Sequence, residues 1–274
     1  MKPLNSAENL LNILFVWVDT RRTELGLTEI SRATGINKST VYKILLSLRE
    51  RRLVELNIKT KKYSLGPRVL ELSTFFTRSL NIKDAAHPFL QELAGESGKT
   101  VTFALRKEAH LVFIDRVDGS ESVRFYCDIG KVIPYNSGAA AKAVFAYLPP
   151  EQREKISGEP EKKFTDSTKS WNQMAKEAEL IRERGYSISD EEVDRGVIAV
   201  GAPVFDGAGN VLAGLALAGL KCTINGRELE KMAFLSVECA RSISMKMGAP
   251  FGDSLYAEWE RAAFGGPIVQ KRSD

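Results

Sequence analysis

TEISRATGINKSTVYKILLSLRERRLVEL, Thr28 to Leu56, is the stretch that decides the fold. Its spacing predicts two short helices around a tight turn and then a β-ribbon, the layout of a winged helix-turn-helix. Thr28 is expected to cap a helix with Ile30, Ala33 and Thr34 turned inward, and Gly35 to supply the left-handed turn that a Cβ resists. Ile36 follows as an apolar plug. Asn37 is expected to cap a second helix on which Val41, Ile44, Leu45 and Leu48 fall at i, i+3, i+4 and i+7, one buried stripe.

The opposite face of that second helix carries Ser39, Thr40, Tyr42, Lys43 and Ser47, hydrogen-bonding groups and a cation suited to a major groove. Lys38 stands at the helix start, where unpaired backbone N–H groups also favour a phosphate. Two amphipathic helices around a glycine also describe a plain hairpin inside a core. The downstream residues favour the DNA reading: Leu53–Leu56 and Lys62–Leu65 are strand candidates, and their connection holds Lys59, Lys61 and Lys62, cations that a wing would set against the phosphate backbone.

Charge follows the same division. Residues 1–66 hold 12 Lys/Arg against 6 Asp/Glu, a net of +6 that leaves −2 for the rest of a chain whose formal total is +4. Such a surplus is what phosphate attraction needs, although a merely solvated surface also accommodates it. At 274 residues, 43% hydrophobic and 27% charged, the chain is neither disordered nor membrane-like in composition, and domains of roughly 150 residues predict about two of them. The apolar run Leu10–Val18 is too short for a membrane span and lacks the flanks of a signal peptide. Cys127, Cys222 and Cys239 are odd in number and unpatterned, so a reduced cytoplasm is expected.

Along the chain, a first helix from about Ser6 carries Leu10, Ile13, Leu14, Trp17 and Val18 on one stripe, widened by Leu11 and Phe15. So wide an apolar surface suits burial on two sides, its own domain and a partner subunit, although core packing alone also explains it. Gly66-Pro67 ends the wing, and Arg68–Leu80 reads as a connecting helix. A further helix is expected over Asp84–Ser97, then strands at Thr100–Arg106, Leu111–Val117 and Val123–Asp128, and helices at Ala139–Leu148 and Trp171–Arg184. A hairpin of Ala199–Phe205 and Val211–Leu217 and a long helix Arg227–Met247 follow, which makes an α+β domain with an antiparallel sheet. The expected organisation is a DNA-binding domain over 1–66, a linker helix over 67–80, a second domain over 81–248 and a loosely docked tail over 249–274.

Four stretches in this order carry a resemblance to a known family: GINKSTVYKILLSL, KKYSLGPRVLEL, GKVIPYNSGAAAKAVFA and RGYSISDEEVDRGVIAVGAPVFDGAGNVLAGLALAG. The chain resembles the isocitrate lyase regulator (IclR) family of bacterial transcription factors from Asn5 to about Gly248. The resemblance implies a winged helix-turn-helix joined by a helix to a GAF/profilin-like effector-binding domain. It also implies a homodimer or homotetramer on a double-stranded DNA operator, with repression the commoner output. Two positions depart from similar proteins, which often have arginine where Lys43 stands and glycine where Arg52 stands. Lysine is a point charge without the bidentate fork.

By the same resemblance, Ser137, Gly138 and Ala139 are expected at the wall of a pocket for a small organic acid. Small side chains and a helix N-terminus there would receive a carboxylate, although SGAAAKA also reads as a closely packed small-residue helix. Asp190 matches a pocket acid in similar proteins, while SDEE also reads as a turn or helix cap with solvated acids. Ala216 and Ala218 stand where some relatives have serines, which suggests a less polar pocket and a bulkier or aromatic acid. His87 and His110 are the chain's only histidines, no G-x-S-x-G elbow is present, and no catalytic residue, cofactor or metal is expected, although some relatives hold a metal in this domain. The reading is an effector-controlled transcription regulator without enzyme activity. The alternatives are an enzyme with an appended DNA-binding domain and an architectural DNA binder indifferent to effector.

Overall fold

The computed structural model describes residues 5–72, 81–121, 127–249, 259, 262 and 263. The chain divides into two compact units, Met1–Leu80 and Asn81–Asp274.

In the first unit, α1 (Asn5–Thr20), α2 (Leu27–Thr34) and α3 (Lys38–Glu50) pack around one core, and β1 (Leu25–Gly26), β2 (Val54–Asn57) and β3 (Lys62–Leu65) form a small antiparallel sheet in the order β1-β3-β2. Ile13, Val16, Trp17, Ile30, Val41, Leu45 and Leu48 are buried together, so the 3.6-residue period of α3 places its stripe as expected. Trp17 Nε1 donates to the Tyr63 carbonyl at 3.1 Å and pins α1 to the ribbon. Asn37 Oδ1 accepts from Thr40 N at 2.9 Å and caps α3, while Gly35 closes α2 with φ +70°.

Three local expectations change. Thr28 lies inside α2 and is exposed; the start is held by Glu29, whose Oε2 accepts from Gly26 N at 2.8 Å. That bond, helped by Arg22, holds the Glu29 carboxyl below its usual pKa. Ala33 is exposed and Leu27 packs on the core in its place. Val18 is 54% exposed and Val16 fills the core position, because Val18 lies about 140° round α1 from the buried Ile13 whereas Val16 lies about 60° from it. Of the connecting helix, residues 68–72 are helical and 73–80 lie outside the described residues.

The second unit contains α4 (Ile82–Ser97), α5 (Ala139–Ala146), α6 (Pro150–Ser157), α7 (Trp171–Arg184) and α8 (Gly226–Lys246). Its six strands are β4 (Thr100–Arg106), β5 (His110–Val117), β6 (Val132–Pro134), β7 (Ser187–Asp190), β8 (Val197–Phe205) and β9 (Val211–Leu220). They form one antiparallel sheet in the order β6-β5-β4-β9-β8-β7. Every residue of β8 after Val197 is buried, so both faces of the sheet are covered there, by α5 and by α8. α4 packs with α8, and α5 with α7.

The strand expected over Val123–Asp128 falls mostly outside the described residues, and Cys127 and Asp128 are not in a strand. The sheet edge is built instead by Val132–Pro134 against β5. The tail is not loose as far as it is described: Trp259 is fully buried, its Nε1 donates to the Gly185 carbonyl at 2.7 Å, and its ring lies 5.4 Å from that of Phe205. One large aromatic supplies the anchor that the surrounding glycines obscure.

Candidate functional site

Two faces concern function, one on each unit. On the first, α3 presents Lys38, Ser39, Tyr42, Lys43 and Ser47 exposed and Thr40 half-buried. Ser39 Oγ donates to Asn37 Oδ1 at 2.8 Å and Ser47 Oγ to the Lys43 carbonyl at 3.4 Å, so both hydroxyls are oriented by their own helix. Tyr42 is 47% exposed, an aromatic ring turned to solvent beside two cations. Lys59 and Lys61 are exposed on the β2–β3 turn and Lys62 is half-buried at the start of β3. Arg52 stands between helix and wing in the left-handed region, φ +57°, and its carbonyl accepts from Arg68 N at 3.2 Å. A glycine would adopt this backbone conformation without strain.

The second face is a cavity open to solvent on the α5 side of the sheet. Strand register makes its floor. Ala199 pairs with both Ser189 and Ala218, and Ala216 with Thr102, so small side chains from four strands stand side by side and leave room above them. Phe113, Ile133, Val193 and Val197 wall it, and Lys131 and Asp194 are its exposed charged members. Cys127 also lines it, and burial pushes that thiol up to about 11, which keeps it protonated at neutral pH.

Gly138, Ala139, Ala216 and Ala218 line this cavity. Gly138 has φ +80°, and a Cβ there would come within 2.7 Å of Ile133 Cδ1. Ser137 and Asp190 do not line it. Ser137 is wholly buried behind the wall. Asp190 points to the other side, because residues alternate along β7 and the inward neighbour is Ser189; its carboxylate pairs with Lys221 Nζ at 2.8 Å at the surface.

Sequence reasoning missed Lys142 and Glu192. Lys142 Nζ lies 2.6 Å from Glu192 Oε1, 3.2 Å from Glu177 Oε1 and 2.6 Å from the Ile188 carbonyl, with no exposed side-chain surface. Glu192 Oε2 accepts from Gly138 N at 3.3 Å, so that amide is already engaged, and burial raises the Glu192 pKa against the lowering effect of Lys142. α5 is also packed tightly: a Cβ on Gly201 would collide with the Ala139 backbone, and one on Gly214 would sit 2.5 Å from the Ala140 carbonyl. The small-residue run therefore serves close packing and the cavity wall together.

None of the cavity-lining residues is a histidine, and among the described residues no three His, Cys, Asp or Glu side chains gather as a metal-holding group. His87 Nδ1 is 2.7 Å from Asp115 Oδ2 and braces α4 on β5.

Comparison with family models matches residues 6–57 to the IclR helix-turn-helix domain and residues 74–245 to the bacterial transcriptional regulator IclR C-terminal domain. The chain belongs to the IclR family. Among similar IclR-family proteins, the HTH-type transcriptional regulator XynR of Escherichia coli K12 is 28% identical over 91% of this chain and 100% of its own length. The transcriptional repressor IclR of the same strain is 25% identical over 86% of this chain and 87% of its own length. A crystal structure of an IclR-type regulator from Silicibacter sp. TM1040 covers 91% of this chain and 98% of its own with a TM-score of 0.82 at 23% identity, which establishes the shared fold. The chain is thus a DNA-binding transcriptional regulator with an effector-binding domain, and the families it matches are regulators, not enzymes. No described helix is long and apolar enough to cross a membrane.

Proposed function

We propose that this IclR-family regulator is a repressor released or tightened on its operator by a small organic acid with an apolar, aromatic-sized body. The observation that carries the reading is the cavity: three alanines make most of its floor beside Thr102 and Ser189, its walls are mainly aliphatic and aromatic with Lys131 and Asp194 at the exposed rim, and it opens onto the first turn of α5 at Ala139 and Ala140. The first-turn amides of a helix have no intrahelical partners and attract an anion. Gly138 N is taken by Glu192, so the Ala139 and Ala140 amides are the ones left to receive a carboxylate, with the ligand body over Ala199, Ala216 and Ala218. A ligand changes DNA affinity only by preferring one arrangement of the protein over another.

A homodimer supplies such arrangements. Leu11, Phe15 and Val18 are 49%, 52% and 54% exposed and lie at i, i+4 and i+7 along α1, an apolar stripe opposite the side that fills the core. On DNA, the exposed face of α3 reads bases while the wing lysines hold phosphates.

Thermal shift of the full chain tests the effector class. Aromatic carboxylates such as benzoate and phenylacetate are expected to raise the melting temperature more than pyruvate does; the reverse ranking overturns the class. Phe15→Glu is expected to lower the oligomeric state seen by light scattering.

A further inference from the structure

The tip of the wing carries an apolar side chain in full view of solvent. Ile58 is 76% exposed, more than any other large hydrophobic side chain among the described residues. It opens the four-residue turn 58–61 between the paired residues Asn57 and Lys62. That turn is held without it: Asn57 Oδ1 accepts from Lys59 N at 3.0 Å and Thr60 N at 3.2 Å, and Lys61 N donates to the Asn57 carbonyl at 2.8 Å. Ile58 is presented on a built support to which its own side chain contributes nothing.

The surroundings say what it meets. Lys59, Lys61 and Lys62 flank it, so a second copy of this tip or any basic surface is repelled and a polyanion is attracted. The wing also follows α3 directly in the same unit, with β2 beginning at Val54 after α3 ends at Glu50. With α3 in a major groove, the next feature along the duplex is a minor groove walled by phosphates.

We propose that Ile58 enters the minor groove flanking the major groove read by α3, with the wing lysines on its phosphates, and selects A·T pairs there. The selectivity follows from groove chemistry. A·T and T·A pairs present only acceptors on the minor-groove edge, whereas G·C adds the guanine N2 amino donor, which an isoleucine would bury without a partner. A·T tracts are also narrower and more negative there, which favours the lysines. Apolar side chains in minor grooves are a known mode of DNA recognition. The inference rests on α3 being the groove-reading helix.

The test is selection of duplexes from a random library by the full-length chain and by Ile58→Ser and Thr40→Ala. The unaltered chain is expected to enrich A·T in the flanks beside its core motif. Ile58→Ser is expected to keep the core and lose about 5-fold of the flank discrimination, a loss on the scale of one mismatched pair. Ile58 is 76% exposed and the turn is held without its side chain, so Ile58→Ser is expected to fold; amide exchange over residues 54–65 verifies it. Unbiased flanks, or a bias that survives Ile58→Ser, overturn the wing inference alone if Thr40→Ala alters the core. A core unchanged by Thr40→Ala overturns the α3 reading, and the wing inference with it.

Discussion

Lys142 and Glu192 face each other at 2.6 Å with side chains 0% and 2% exposed, a buried ion pair against the wall of the cavity. Removing one partner of such a pair leaves an uncompensated charge and costs about 3–5 kcal/mol. Lys142→Met is therefore expected to destabilise the second unit by that amount at neutral pH, because Glu192 is left without its cation while Glu177 keeps Arg184. The Glu192 pKa is already raised by burial, so its contribution to stability is greatest below the usual carboxylate pKa and is lost as pH rises through its raised folded value. Without Lys142 that folded value rises further. The gap between Lys142→Met and the parent chain should narrow from about pH 7.5 to about pH 5 in urea unfolding; a gap that widened on acidification would contradict the pairing.

Arg52 offers a change in the other direction. At φ +57° a residue with a Cβ is strained by about 1 kcal/mol, and Arg52→Gly relieves this at some cost in unfolded-chain entropy. The expected result is a gain of up to about 1 kcal/mol in the first unit, read as slower amide exchange over residues 25–65. Faster exchange would mean that the arginine side chain holds the turn.

These two sites show what was legible in the sequence. Periodicity exposed α3, because Val41, Leu45 and Leu48 fall at i, i+4 and i+7 and Asn37 marks the start. Register in the second unit was less open to reading. Ser187–Asp190 is four residues long and largely polar, so nothing in SISD announces a strand; without the strand, the choice between Ser189 and Asp190 for the cavity cannot be made, and it goes to Ser189. Lys142 sits among alanines as a solvated lysine would, and its partner Glu192 lies 50 residues away. Val132–Pro134 is only three residues long, and Trp259 lies in a glycine-bearing tail, where composition speaks against order. Ala216 and Ala218 stood out in the sequence only through the resemblance, and it is the register of β9 that sets both on the cavity floor.

The DNA face separates by salt. Lys61→Ala and Lys62→Ala are each expected to weaken all duplexes alike and to flatten the slope of log affinity against log salt by about one unit, since each lost phosphate contact releases one counterion fewer. Thr40→Ala and Tyr42→Ala should instead relax sequence preference at nearly unchanged slope. Fluorescence anisotropy across a salt series, on selected and scrambled duplexes, distinguishes them. A slope unaffected by loss of either lysine would remove the wing from the phosphate backbone.

The cavity floor can be filled without touching the DNA face. Ala218 is 4% exposed and pairs with Ala199 on one side and Thr100 on the other, so Ala218→Leu adds three carbons above the sheet where the ligand body would lie. Part of that bulk has open cavity to occupy, which keeps the overpacking cost to about 1–3 kcal/mol. The variant is expected to bind selected duplexes as the parent does and to lose at least about 10-fold in affinity for an aromatic carboxylate, seen as a vanished thermal shift. Ala218→Ser, nearly the same size, should keep the cavity open and move preference towards smaller, more polar acids, because its hydroxyl must be paired when covered. If Ala218→Leu still responded to the aromatic acid, the ligand would have to bind elsewhere, and Ala199, Ala216 and Ala218 would be packing residues alone.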